Sequence, residues 1–394
     1  MTEDAPLRVM IIAGEPSGDL LGAELLAALR MRCARKVEAF GIGGGALIQA
    51  GLTSLFPMSD LSVMGVSEVV PRLPLIQMRI AQTVGAALER HPDLVLTIDS
   101  PDFCFRVARR LRAANPDMPI VHYVAPHVWA WRQGRAQKIA RYVDLLLTLL
   151  PFEPDIFIKA GLPARFVGHP VVTRVADQCH SKDFRARHNI GDDVPLLAVL
   201  PGSRQSEVDR LLPVFGQAIA LLHAQFPQLH LFCATVDSVA ETVTETAADW
   251  GCPVIFAADA DEKFAGFAAC DAAIAASGTV SLELAVAGTP HIVGYRLNPV
   301  TAFLAKRLLR VPYVNLVNLI LGESEIPELL AGECTPQAIA AAIAPLLSDH
   351  SPARRKQMEA MSAALHALGQ GQMPPSQRAA DAVCAFLNER GIAT

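Results

Sequence analysis

Residues 271–295 constrain the fold more than any other stretch. Asp271-Ala-Ala-Ile-Ala-Ala276 is small, apolar and too short for a helix, so it reads as a buried strand. Ser277-Gly278-Thr279 then turns the chain. Thr279 is a helix N-cap by residue type, Glu283 lies one turn into the helix, and Gly288 followed by Pro290 closes it. A second buried strand, His291 to Tyr295, follows at once. Strand, turn, helix and strand make the crossover unit of a parallel sheet, in which ligands sit beyond the carboxyl ends of the strands and against helix N-termini. The turn at Ser277, Gly278 and Thr279 offers amide groups and two hydroxyls, which suit a diphosphate. Glu283 can accept hydrogen bonds from a vicinal diol such as a ribose. An ordinary crossover with Glu283 as a solvated helix acid has the same pattern, and the stretch alone does not separate the two.

The same alternation runs through the chain in two series. The first opens with the apolar strand Leu7–Ala13, the turn Gly14-Glu-Pro-Ser-Gly-Asp19 and a helix carrying Leu20, Leu21, Leu25, Leu26 and Leu29 on its apolar side. Strands follow at 37–40, 94–98, 119–124 and 144–150, and Phe166-Val-Gly-His-Pro170 ends the series. Residues 173–193 are polar and charged and read as a linker. A second series restarts at 196–200 with the turn Pro201-Gly-Ser-Arg204 and a helix over 207–226. Its strands continue at 229–234, 253–257, 272–276 and 291–294. Three helices, over 336–347, 352–368 and 376–390, end the chain. This is an α/β protein with two doubly wound, Rossmann-like sheets.

Two apparent nucleotide motifs carry little weight. Gly41-Ile-Gly-Gly-Gly45 follows the second strand and lacks the G-x-x-G spacing of a dinucleotide fingerprint, and no Gly-Lys-Ser/Thr exists for a Walker A loop. Asp259-Ala-Asp261 has the spacing of a metal-binding Asp-x-Asp, but it precedes a helix where acids are favoured, so it reads as a cap. A net charge of −5 argues against a nucleic-acid partner. The eight cysteines include no C-x-x-C pair and read as free thiols of a reducing compartment. Met1-Thr-Glu-Asp lacks a signal-peptide n-region, and no uncharged apolar run reaches bilayer length, so a soluble or peripheral protein is expected.

Several residues stand where chemistry is done. Asp99 follows the strand 94–98 at the carboxyl edge, beside Ser100-Pro101, and is a candidate general base; Asp102 fits a helix cap better. His122, near the end of the next strand, titrates near neutrality and is a rival base. Trp129 and Trp131 stand beside Arg132, Arg135, Lys138 and Arg141, a set that can stack sugars and bind phosphate or form a wet helix face. Residues 61–80 are densely apolar, broken by Pro71 and Pro74 and punctuated by Arg72 and Arg79. They read either as a core helix with a proline break or as an exposed apolar lip with basic anchors, suited to acyl chains and an anionic membrane surface.

Ala13-Gly-Glu-Pro-Ser-Gly-Asp19, Ile98-Asp-Ser-Pro-Asp-Phe103, Val128-Trp-Ala-Trp-Arg132, Leu149-Leu-Pro-Phe-Glu153, Val167-Gly-His-Pro170, Leu200-Pro-Gly-Ser-Arg204, Ala276-Ser-Gly-Thr279 and Tyr313-Val-Asn-Leu-Val-Asn318 together resemble the lipid-A-disaccharide synthase family over almost the whole chain. The resemblance implies the GT-B fold: two doubly wound domains, 1–172 for acceptor and membrane and 190–347 for donor, facing across a cleft, with 348–394 bridging back. It implies an inverting transfer, with no metal or other cofactor, from UDP-2,3-diacylglucosamine to 2,3-diacylglucosamine 1-phosphate, giving the β-1,6-linked disaccharide 1-phosphate and UDP. Asp99 would be the base and Arg204 would neutralise the leaving diphosphate. Ser277, Gly278 and Thr279 would cradle the diphosphate, Glu283 would hold the ribose, and Asn318 would add a donor contact. Ser17, Gly18, His122 and Trp131 would contact the acceptor or the transferring sugar. The partners implied are the two lipid substrates and the cytoplasmic face of the inner membrane, without nucleic acid, and a homodimer is left open. The alternatives are another GT-B transferase or a 2-epimerase acting on UDP-N-acetylglucosamine, or a nucleotide-sugar binding module without activity.

Overall fold

The structure, a computed structural model, describes every residue outside 1–4, 62–65, 129–133, 174–177, 277, 297–311 and 349–350; of 66–71 and 178–180 it describes the backbone alone. The chain divides into two compact units, Met1–Pro170 with Gly371–Thr394, and Val171–Gln370.

The strands of the first unit are β1 (Leu7–Ala13), β2 (Val37–Ile42), β3 (Thr53–Ser54), β4 (Leu94–Ile98), β5 (Ile120–Tyr123), β6 (Leu145–Thr148) and β7 (Ala164–Phe166). Between them run α1 (Pro16–Arg32), α2 (Gly45–Gln49), α3 (Val66–Arg90), α4 (Pro101–Ala114), α5 (Gly134–Ile139) and α6 (Glu153–Lys159). The strands pair in parallel in the order β3-β2-β1-β4-β5-β6-β7. Both faces are covered, which is why the strands read as continuous apolar runs. Leu7, Val9 and Ile11 face Leu25, Leu26 and Leu29 of α1, whereas Met10 and Ile12 join a separate core with Phe103, Val107 and Leu111 of α4.

The strands of the second unit are β8 (Leu196–Leu200), β9 (His230–Cys233), β10 (Val254–Phe256), β11 (Ala272–Ala275), β12 (His291–Tyr295) and β13 (Glu328–Leu330), ordered β10-β9-β8-β11-β12-β13 and again parallel. Its helices are α7 (Gln178–Arg187), α8 (Gln205–Gln225), α9 (Asp237–Ala247), α10 (Ala260–Ala269), α11 (Val280–Ala287), α12 (Leu316–Leu321), α13 (Pro336–Ile343) and α14 (Pro352–Ala367). The last helix, α15 (Pro375–Glu389), then rejoins the first unit, where Ala379, Val383 and Leu387 seal the core beneath α1.

Three expectations change. The polar stretch 173–193 is not simply a linker, because it contains α7, whose Phe184 is fully buried. Arg185 holds this segment to the second sheet through Asp271 and the carbonyl of Ala269, each at 3.0 Å. Secondly, α3 passes through Pro71 and Pro74 without a break, although each proline removes one helical hydrogen bond. Ile80 is buried in this helix, whereas Leu73 and Met78 are 38% and 52% exposed. Thirdly, of the residues after 348, α14 stays with the second unit and only the segment from Gly371 returns. No helix among the described residues is long and apolar enough to cross a membrane.

Candidate active site

Asp99 and Ser100 leave β4 in left-handed backbone geometry, with φ of +50° and +41°. Two successive non-glycine residues in that region cost on the order of 1–2 kcal/mol each, so their surroundings must hold them. The amide of Asp99 donates to Tyr123 O at 2.9 Å, and α4 begins directly after the turn. In the first turn of α1, Ser17 Oγ donates to Asp99 Oδ2 at 3.1 Å. Ser100 Oγ donates to Glu15 Oε1 at 3.3 Å. This close meeting explains two glycines. A Cβ on Gly14 would stand 2.8 Å from Ser100 Oγ, and one on Gly18 would stand 3.2 Å from Ile98 O. Burial, and then the charge of Asp99, push the Glu15 carboxyl above its usual range against the opposing Ser100 bond. Burial lowers His127, while Asp99 acts in the other direction. Asp99, Ser17 and Gly18 are thus brought together. Beside them a cavity of about 250 Å³ is lined by Glu15, Leu61, Leu73, Ile76, Phe103 and Arg106.

His122 is elsewhere. Its side chain has no exposed surface, lies 4.5 Å from the Phe105 ring and meets Thr97 Oγ1 through Nδ1 at 2.7 Å. Burial drops its pKa to about 3, so it is neutral in the folded protein. A ring sealed between sheet and helix cannot touch a sugar, which removes it from the acceptor site and from the role of rival base. Trp129, Trp131 and Arg132 lie outside the described residues, as does Ser277.

The second unit carries a cavity of about 710 Å³ at the carboxyl edge of its sheet. Two turns open onto it. In Pro201-Gly-Ser-Arg204, Gly202 has φ of +111°, and a Cβ there would meet Glu207 Oε2 at 2.8 Å. Glu207 anchors the loop by accepting from Arg204 Nη1 at 3.0 Å and Tyr295 Oη at 3.2 Å. The Arg204 side chain remains 76% exposed. After β11, Gly278 has φ of +145° with open space where a Cβ would stand. α11 then starts and ends at Gly288, also left-handed at φ +71°. Thr279 begins the helix, but its hydroxyl makes no capping bond. Glu283 accepts from Lys263 Nζ of α10 at 2.9 Å, and both line the cavity with Gly202, Arg204, Gly278 and Thr279.

A profile of the lipid-A-disaccharide synthetase family matches residues 9–383. This chain belongs to that family. It is 51% identical to the lipid-A-disaccharide synthase of Rhodospirillum centenum, with 98% of this chain and 96% of the relative covered. It is 48% identical to that of Paramagnetospirillum magneticum, with 97% and 98% covered. Among solved structures, S. aureus MnaA with UDP superposes with a TM-score of 0.67 at 15% identity, covering 97% of each chain. That likeness is of fold alone, the two-domain Rossmann-like GT-B arrangement. Family membership makes the chain a glycosyltransferase and disfavours the epimerase and the inactive binding module.

Two expected contacts need revision. Asn318 is fully buried, and its amide is consumed inside its own loop. Nδ2 donates to Ile326 O and Glu328 Oε1 at 2.8 and 2.9 Å, while Oδ1 accepts from the amides of Glu325 and Ile326 at 2.9 and 2.8 Å. With both donors and both acceptor positions occupied, the side chain has nothing left for a donor sugar. Asp102 is not a cap; it pairs with Arg135 at 3.2 Å. By contrast Asp259 caps α10, accepting from the Glu262 amide at 2.8 Å. Sequence reasoning gave no role to Lys263 or His127. Lys263 carried a usable signal, since it follows the Asp259 cap by one helical turn.

Proposed function

We propose that this glycosyltransferase joins UDP-2,3-diacylglucosamine to 2,3-diacylglucosamine 1-phosphate, forming the β-1,6-linked disaccharide 1-phosphate of lipid A and UDP. The observation that carries the nucleotide half is the cavity at the edge of the second sheet, with Gly202, Gly278 and Thr279 in its turns and Arg204 and Glu283 among its lining side chains. Amides at glycine turns and an exposed guanidinium are suited to a diphosphate, and a carboxylate is suited to a ribose diol. Asp99 is the general base. It takes the proton of the acceptor 6-hydroxyl as that oxygen attacks the anomeric carbon. The bond to UDP breaks with inversion, and its electron pair goes to the diphosphate, whose developing charge Arg204 and the turn amides neutralise. Ser17 orients Asp99 through its hydrogen bond.

The apolar cavity beside Glu15, reached by Leu73 and Ile76 of α3, is suited to the acyl-bearing acceptor. The exposed Leu73 and Met78 are suited to peripheral contact with a lipid surface, which we infer to be the cytoplasmic face of the inner membrane. Mass spectrometry of the product formed from diacylated donor and acceptor tests the reaction. A disaccharide 1-phosphate with stoichiometric UDP is expected. Epimerised UDP-N-acetylglucosamine from the nucleotide sugar alone, or UDP binding without turnover, would refute it.

A further inference from the structure

Between α4 and the segment beginning with α5 lies a groove of about 500 Å³ that the reaction as written above does not use. Arg106, Arg109 and Arg112 enter it at successive turns of α4, and Arg135, Lys138 and Arg141 enter it at the same three-residue spacing from the other side. Asp102 is the single carboxylate in the lining. Six cations facing one acid is unusual on a chain whose net charge is −5. Two of them are already engaged, Arg112 with Asp144 and Arg135 with Asp102. Arg106, Arg109, Lys138 and Arg141 have no acidic partner among the described residues. The aromatic rings of Phe105 and Tyr142, 5.7 Å apart, also line the groove. Cations held together at this density repel one another, so a bound anion relieves the repulsion as well as adding charge-assisted hydrogen bonds.

The groove adjoins the acceptor half of the site. Pro101, Asp102 and Arg106 line both this groove and the cavity that contains Glu15. Asp99 immediately precedes Ser100, which lines that cavity, and it accepts from Ser17 Oγ at 3.1 Å. In an acceptor pyranose the anomeric carbon and the carbon that bears the 6-hydroxymethyl group both flank the ring oxygen, so the reactive hydroxyl and the anomeric substituent reach separate but neighbouring regions of a site. With the hydroxyl at Asp99, the adjoining groove is a neighbouring region open to the anomeric substituent. We propose that the α4–α5 groove binds the anomeric phosphomonoester of the acceptor, with Arg106 and Arg109 as direct contacts and Lys138 and Arg141 supplying charge. This rests on the reaction proposed above and makes the phosphate a determinant of acceptor choice.

The test compares the parent with Arg109→Gln and Lys138→Gln, separately and together. A short-chain acceptor is presented in neutral detergent with and without its phosphate. The parent is expected to prefer the phosphorylated acceptor. The double variant should lose about ten- to hundredfold in kcat/KM for it, with the preference over the dephosphorylated acceptor narrowing by the same factor, and with UDP affinity unchanged. Equal losses on both acceptors, or an unchanged preference, overturn the proposal. A loss that appears only when phosphatidylglycerol vesicles are present also overturns it and assigns the groove to the bilayer surface. Calorimetric titration with glucosamine 1-phosphate separates this proposal from the reaction itself. If the parent binds that probe and the double variant does not, the subsite holds even where the parent forms no disaccharide. If neither protein distinguishes the probe from glucosamine, the subsite fails even where the reaction is sound.

Discussion

Ser17 Oγ donates to Asp99 Oδ2 over 3.1 Å, tying the first turn of α1 to the residue that follows β4. Both residues sit at strand-to-helix turns of the same sheet edge, from crossovers that are neighbours because β1 pairs with β4. Asp99→Asn keeps the size of the side chain but not its capacity to take a proton. Its kcat should fall by about 10²–10⁴-fold at saturating substrates, with UDP affinity unchanged. Retention of near-parental kcat would move the base elsewhere, with Glu15→Gln as the next variant to assay.

His122 supplies a pH prediction of opposite character. Its folded pKa of about 3 lies below the ordinary 6.5, so the unfolded chain takes up the proton first as pH falls. The stability contributed by neutral His122 is complete above 6.5 and is lost as pH drops toward about 3. Denaturation curves of His122→Gln should therefore show less acid destabilisation than the parent across that window. The pH profile of kcat should keep its shape; a profile that loses a limb would put His122 back into the chemistry.

Glu283→Ala should weaken UDP binding by about ten- to hundredfold, the loss expected when a charged hydrogen bond to a diol disappears. Lys263→Ala should have a smaller effect of the same sign, because it leaves Glu283 in place but removes the partner 2.9 Å away that positions it. Isothermal titration with UDP decides both, and undiminished affinity in Glu283→Ala rejects the ribose contact.

Asn318→Ala should behave as a stability variant. The change strands the amides of Glu325 and Ile326 and the buried acceptors of Ile326 and Glu328, and each buried group left unpaired costs about 1–3 kcal/mol. A clear drop in Tm is expected with UDP affinity retained by the protein that remains folded. The reverse pattern, normal Tm with lost donor affinity, would restore the donor-contact role.

Met78→Ser removes an apolar group that is 52% exposed, so thermal stability should change by less than about 0.5 kcal/mol. Sedimentation with anionic vesicles should fall. Unchanged vesicle binding would place membrane attachment on another surface.

Features set by local chemistry were legible from the order of residues alone. Buried parallel strands must be short and apolar, which marked β1, β4 and β8 to the residue, and the glycines in the turns after β8 and β11, Gly202 and Gly278, are free to take positive φ without strain. The sheet-edge placement of Asp99, Arg204 and Glu283 was legible because each stands within a few residues of a strand-to-helix turn. Tertiary structure decided whatever depends on residues far apart in the chain. The short edge strands β3, β7 and β13 exist only through their neighbours' ladders, so no periodicity announced them. His122 and Asn318 carry the right atoms for a site, but their burial is set by Phe105 in one case and by 325–328 in the other. Lys263 reaches Glu283 only because α10 and α11 pack together, and α15 lies beneath α1 because an apolar sheet face there needed cover. A side chain's type is written locally, but its exposure and its partners are properties of the packed core.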